Sequence, residues 1–267
     1  MITENIAQHG ATPLGLEANG KVFSISAEDR AGILYVFGRT GQGKSVMLET
    51  LILSDIRNGR GGIFIDPYGD LIQELQSYIP GQMKQNIVTF EAHKGTVDEN
   101  LTRFQQEVNL MQIHSDAEKF LLCTLSYEVL GTDGAKALGR EVLKRFLNVV
   151  GDQHRTIGID EAHNFITDEV ESIMRSRESG ASYVLADQMT GLYPDGVREQ
   201  ILGSVNHLVC YFVDPETAAT ISMFHPQLSS SALSALEKYH FLAKVNAQTS
   251  IPSVISLQGM LPKDLPS

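Results

Sequence analysis

The chain has 267 residues, is 42% hydrophobic, and carries 32 acidic against 21 basic side chains, for a net charge of −11. That is enough apolar material for one substantial core and, by length, for one or two domains. The charge argues against a protein that coats nucleic acid with its whole surface, although a ring could still gather positive side chains in its channel.

The apolar runs ILYVF and LVCYFV fall far short of the roughly 18–20 residues of a membrane-spanning helix. MITENIAQHG has no basic cluster of the kind that opens a leader, so the expected location is cytoplasmic. Cys123 and Cys210 sit in apolar surroundings and read as small core residues, and the eight histidines show no ligand spacing.

Residues 1–30 hold turn formers and one β-like run, Lys21–Ser26, expected as an edge strand. Ile33–Ser45 then reads as strand, phosphate loop and helix. Gly38, Gly43, Lys44 and Ser45 fill the pattern G-x-x-x-x-G-K-[ST], and Gly41 adds a flexible position where backbone N–H groups turn inward around phosphate oxygens. The whole loop, Gly38, Arg39, Thr40, Gly41, Gln42, Gly43, Lys44 and Ser45, is the candidate site for ATP. Lys44 would reach the β- and γ-phosphates. Ser45 would ligate Mg²⁺ and open a helix, Ser45–Asn58, whose free N–H groups and positive dipole end face the same anion.

Gly62–Asp66 reads as a buried parallel strand, and Pro67 and Gly69 stop it so that Asp66 stands at its carboxyl end. A helix Asp70–Tyr78 and a strand Ile87–Phe90 follow. From Gly95 to Val150 no strand signal is visible, and apolar residues recur at helical spacing. The expectation is one α/β domain over residues 1–267 with a small helical insertion at 95–150. Ser115-Asp116-Ala117-Glu118 has capping-box spacing and is expected to open the second helix of the insertion. On the third, from about Gly134 to Val150, Lys136, Arg140 and Lys144 form a basic face that is either solvated or a nucleic-acid contact.

Thr156–Asp160 reads as a buried strand ending in Asp160-Glu161. Beside a phosphate loop such a pair suits nucleotide hydrolysis, with Asp160 holding the Mg²⁺ shell and Glu161 polarising the attacking water. His163 is expected at a helix start or an interface. A helix over 168–178 carries Arg175 and Arg177, and Gly180 ends it. The strand ASYVLADQ places Gln188 at its carboxyl end, where an amide either senses the γ-phosphate or simply ends the strand. A helix at Val197–Val205, a strand at His207–Val213, helices after Asp214 and Pro226, and β-like runs at Tyr239–Asn246 and Ile251–Leu257 complete the chain.

The set GRTGQGKS, IDPYGDL, IDEAHNF, SRESGASYVLADQ and LVCYFVDPETA resembles the P-loop ATPases of the HerA/FtsK superfamily, nearest to the coupling-protein ATPases of conjugation and type IV secretion, the TraG/TraD kind. The resemblance implies a RecA-like P-loop NTPase fold, a mostly parallel α/β sheet flanked by helices with terminal β-strands. It also implies a homohexameric ring that hydrolyses ATP with Mg²⁺ to move DNA, with secretion-channel or relaxosome proteins as partners and a place at the inner membrane held through them. By position, it implies that Gln188 is a sensor and that Arg177, with Arg175 as fallback, is an arginine finger reaching a neighbouring subunit. Two features depart from the family. Its coupling proteins carry N-terminal membrane helices absent here, and their helical insertion is usually larger. The alternatives are a secretion or pilus ATPase acting on protein, a helicase suggested by the Asp160–His163 spelling DEAH, and a slow nucleotide-dependent switch.

Overall fold

The computed structural model describes residues 10–26, 28–150, 155–166, 180–246 and 254–265. Its centre is strand β3 (Gly32–Phe37), whose side chains alternate between two cores. Ile33, Tyr35 and Phe37 join one apolar cluster, and Leu34 and Val36 join the other. A strand buried on both faces has no polar side to present, which explains its unbroken apolar sequence.

Six further strands run parallel to it: β4 (Gly62–Asp66), β5 (Ile87–Glu91), β6 (Phe120–Thr124), β7 (Thr156–Ile159), β8 (Ser182–Asp187) and β9 (His207–Cys210). With β1 (Thr12–Leu16), β2 (Val22–Ile25), β10 (His240–Val245) and β11 (Val254–Gln258), they form a sheet ordered β2-β1-β11-β10-β9-β3-β8-β7-β4-β6-β5. The wing from β10 to β2 pairs antiparallel. Helices α1 (Lys44–Arg57) and α2 (Asp70–Tyr78) fill one face of the sheet. The other face is covered by α3 (Val97–Glu107), α4 (Leu110–Ser115), α5 (Tyr127–Val150) and the helices Asp195–Ser204 and Pro215–Phe224.

The segment 95–150 differs from its purely helical expectation. Phe120–Thr124 is strand β6, inserted between β4 and β5. A short apolar run buried on both faces shows no alternation, so periodicity cannot separate it from a helical stretch. The spacing at Ser115 is likewise not a capping box: Ser115 ends α4 and its hydroxyl donates back to the Met111 carbonyl at 2.8 Å. The capping box lies at the start of α3, where Glu99 N donates to Thr96 Oγ1 at 3.2 Å and Thr96 N to Glu99 Oε2 at 2.7 Å. Helix α5 begins at Tyr127, with a non-helical Gly131 inside it. Its basic face is broken, because Arg140 Nε donates to the Asn164 carbonyl at 3.0 Å. Strand β1 has no counterpart in the expected elements; its Gly15 admits the Phe241 ring, which a Cβ would meet at 2.8 Å.

Cys123 and Cys210 are free and fully buried, as expected. Among the described residues no helix is long and apolar enough to cross a membrane.

Candidate nucleotide site

The carboxyl end of β3 delivers Gly38 between its two neighbouring strands. Gly38 N donates to the Asp187 carbonyl at 3.2 Å, and Arg39 N to the Phe212 carbonyl at 3.1 Å. Gly41 (φ 78°) and Gly43 (φ 117°) then turn the loop through left-handed conformations that disfavour any residue with a Cβ. Arg39, Thr40 and Gly41 are exposed, and Gln42 accepts from Tyr239 N at 3.2 Å. Helix α1 starts at Lys44 with no side-chain cap, so its first N–H groups and dipole are left for an anion. Ser45 is exposed beside them.

Strand β7 ends against this loop. Lys44 Nζ lies 3.4 Å from Asp160 Oδ1 and 3.4 Å from Glu161 Oε1, with all three side chains buried. Burial pushes the Asp160 carboxyl up to about 6; Lys44 opposes that shift and Glu161 adds to it. Burial works against the Lys44 charge too, but Asp160 and Glu161 outweigh it and raise its pKa. Glu161 holds a left-handed backbone (φ 48°, ψ 51°), a costly conformation for a non-glycine residue and one that concentrates at functional sites. Gln188, just past β8, donates from Nε2 to Glu161 Oε1 at 2.9 Å and accepts from the Thr40 hydroxyl at 3.1 Å. Its amide therefore links the phosphate loop to the Glu161 carboxylate.

Beneath Glu161 lies a second layer. Asp187, fully buried at the end of β8, accepts from the Tyr35 hydroxyl, from Tyr193 OH at 2.7 Å and from His163 Nδ1 at 2.7 Å. The same nitrogen is 3.7 Å from Glu161 Oε2. Ligand atoms of Glu161, His163 and Asp187 lie within 4.8 Å of one another, and of these side chains His163 and Asp187 are hydrogen-bonded to each other. His163 is thus an internal contact of the site. Asp66, also buried, spends its carboxylate on the N–H groups of Tyr68 (2.9 Å) and Ile72 (3.1 Å), which starts α2.

The donor set fits Mg²⁺. Two buried carboxylates face one lysine, the Ser45 hydroxyl is open at the loop, and all the candidate ligands are hard oxygens. Ser45 and Asp160 would hold the ion.

These groups line a cleft of about 590 Å³. On its β4 side the wall is acidic. Glu49, one helical turn beyond Ser45, is only 2% exposed, and burial, then Glu74 and Asp66, push its carboxyl from the usual 4.5 up to about 8. The unfolded chain ionises this group near 4.5 while the fold keeps its proton to about 8, so its contribution is fully present below 4.5 and is lost as pH rises through that window. Glu49→Gln should therefore leave the melting temperature unchanged near pH 4 and raise it increasingly toward pH 8. The gain should be largest at the upper end of that window. A difference that stays flat with pH would remove this burial argument.

Of the residues singled out in the sequence, Arg39, Thr40, Gly41, Gly43, Lys44, Ser45, Asp160, Glu161 and Gln188 line one cleft, and Gly38 and Gln42 complete the loop without lining it. Arg175, Arg177 and the helix expected over 168–178 lie outside the described residues. Sequence reasoning missed Glu49, Asp187, Tyr35, Tyr193 and Tyr239. Only Glu49 left a local trace, as a carboxylate one turn from Ser45 on an otherwise apolar helix face.

A glycine-rich loop between β3 and α1, with the acid-tipped strand β7 set one strand away across β8, defines the RecA-like P-loop NTPase fold. The sequence matches no protein-family model and no curated protein. Solved structures do match. VirB4 of Thermoanaerobacter pseudethanolicus superposes with a TM-score of 0.70 at 11% identity, over 96% of this chain and 98% of that one. The bacterial conjugative coupling protein TrwBdeltaN70 gives 0.64 at 12% identity, over 95% and 90%. The genome packaging NTPase B204 from Sulfolobus turreted icosahedral virus 2, solved with AMPPCP, gives 0.50 at 14% identity, over 87% and 99%. These neighbours are HerA/FtsK-type P-loop ATPases, and this chain has their fold.

Proposed function

We propose that the chain is an ATP-hydrolysing motor, a single ATPase domain that works in a homohexameric ring as a DNA translocase of the conjugative coupling-protein type. The observation that carries this reading is the convergence of Lys44, Glu161 and Gln188 on the phosphate loop, with Glu161 Oε1 reached by both partners. A binding-only module needs no buried, strained glutamate there. In the proposed reaction the α1 N-terminus and Lys44 bind the phosphates, and Glu161 orients and deprotonates the attacking water. Gln188 transmits the state of the phosphate loop to Glu161. A Mg²⁺ held by Ser45 and Asp160 would neutralise charge on the β- and γ-phosphates.

A second reading, a secretion ATPase acting on protein, is favoured by the net charge of −11 and by the loss of Arg140 from the basic face of α5. Steady-state ATP hydrolysis against protein concentration, with single-stranded, double-stranded or no DNA, separates the two. A per-subunit rate that rises steeply with concentration and is stimulated by DNA is expected. Concentration dependence without any DNA response would move the assignment to protein secretion, and no hydrolysis would overturn the motor.

Arg177 is proposed to complete the neighbouring subunit's site. Arg177→Ala should bind ATP near-normally and lose hydrolysis, a fall of about 10³- to 10⁵-fold in turnover. Mixing it with Glu161→Gln subunits, which keep Arg177, should restore part of the rate. Mixed rings without recovery would exclude action in trans.

A further inference from the structure

The catalytic groups fix one end of the bound nucleotide, and the strand order fixes where the other end goes. Glu161 and Gln188 stand on β7 and β8, to one side of β3. The γ-phosphate points to that side, so the base must leave toward β9 and β10. Strand β10 runs antiparallel to β9, which places its start at the carboxyl end of the parallel strands, beside the phosphate loop. The residue just before it is Tyr239.

Tyr239 is built into the loop. Its N–H donates to the Gln42 carbonyl at 3.2 Å, its carbonyl accepts from Gly259 N at 2.8 Å, and its Cδ1 lies 3.2 Å from where a Cβ on Gly43 would stand. It holds a left-handed backbone (φ 67°), a genuine outlier for a bulky side chain, and yet its ring is 47% exposed and lines the cleft. The Lys238 ammonium rests 4.7 Å from the ring centroid. Both residues are exposed, and base stacking on an aromatic ring outweighs an exposed cation–π contact. An arriving base therefore displaces Lys238 from the ring. The opposite wall, with Glu49, Asp70 and Glu74, offers no basic side chain to a phosphate among the residues lining it.

We infer that Tyr239 is the base platform of the nucleotide site, stacking on the purine while the phosphate loop holds the triphosphate. The inference rests on the nucleotide-binding reading above and names the residue that takes the base. Every base offers a π-face, so the platform accepts ATP and GTP alike.

The test is calorimetric binding of Mg-ATP, Mg-GTP and inorganic tripolyphosphate to the wild-type chain and to Tyr239→Ala and Tyr239→Phe. The wild type should bind both nucleotides more tightly than tripolyphosphate. Tyr239→Ala should weaken both nucleotides by about 5- to 150-fold, the loss of one stacked base, and leave tripolyphosphate unchanged. Tyr239→Phe should behave as wild type. Tripolyphosphate binding also reports that the loop is folded in each variant. Equal weakening of all three ligands in Tyr239→Ala would make Tyr239 a prop of the loop and overturn the platform. Unchanged nucleotide binding would overturn it too. If no ligand binds the wild type, the nucleotide-binding reading itself falls with it.

Discussion

Glu161→Gln is expected to bind ATP within a few-fold of wild type and to hydrolyse it about 10²- to 10⁴-fold more slowly, the usual contribution of a positioned general base. The amide keeps the shape of the side chain, and its oxygen can still accept the Gln188 Nε2 bond, now 2.9 Å long. What it loses is the capacity to take a proton. Single-turnover hydrolysis beside equilibrium binding measures both effects. Undiminished turnover would remove Glu161 from the chemistry and leave its left-handed backbone without the proposed use.

Lys44→Ala acts earlier. Lys44 is buried at 7% exposure and faces Asp160 and Glu161 at 3.4 Å each, so removing it takes away a phosphate ligand and leaves two carboxylates facing one another. Truncating one partner of a buried charge pair costs about 2–5 kcal/mol, which predicts ATP binding weaker by about 30- to 5,000-fold. Turnover should fall to the background of the assay. Calorimetric titration up to millimolar ATP checks the affinity. Wild-type affinity in Lys44→Ala would show that the loop holds no phosphate.

The legible parts of the site are those in which chemistry and chain order coincide. The loop from Gly38 to Ser45 is contiguous, and the pairs Asp160-Glu161 and Asp187-Gln188 each close a short apolar run that reads as a buried strand. Strand ends of a parallel sheet lie together at one edge, so three separate strand-to-turn boundaries foretell a single cleft. Asp187 was hidden one residue before Gln188, where it reads as another strand end. Its role depends on Tyr35, which the pairing of β3 with β8 brings near, and on Tyr193, which the turn after β8 folds back onto it. Tyr239 was hidden for the same reason: nothing local announces that an antiparallel strand begins beside the loop. In the fold, the strand Phe120–Thr124 was lost because full burial erases alternation, and the Arg140 bond that interrupts the basic stripe of α5 goes to a carbonyl in another element that spacing does not reveal.

That bond ties α5 to the segment that follows β7. Arg140 grips the Asn164 carbonyl, and Asn164 in turn holds the Glu161 carbonyl through its Nδ2 at 3.1 Å. One turn of α5 is pressed on the same segment, since a Cβ on Gly139 would stand 2.5 Å from the Phe165 ring. Helix α5 is thereby fastened through Asn164 to the backbone of Glu161, so a substitution at Arg140 or Gly139 would act on the Glu161 peptide from outside the cleft.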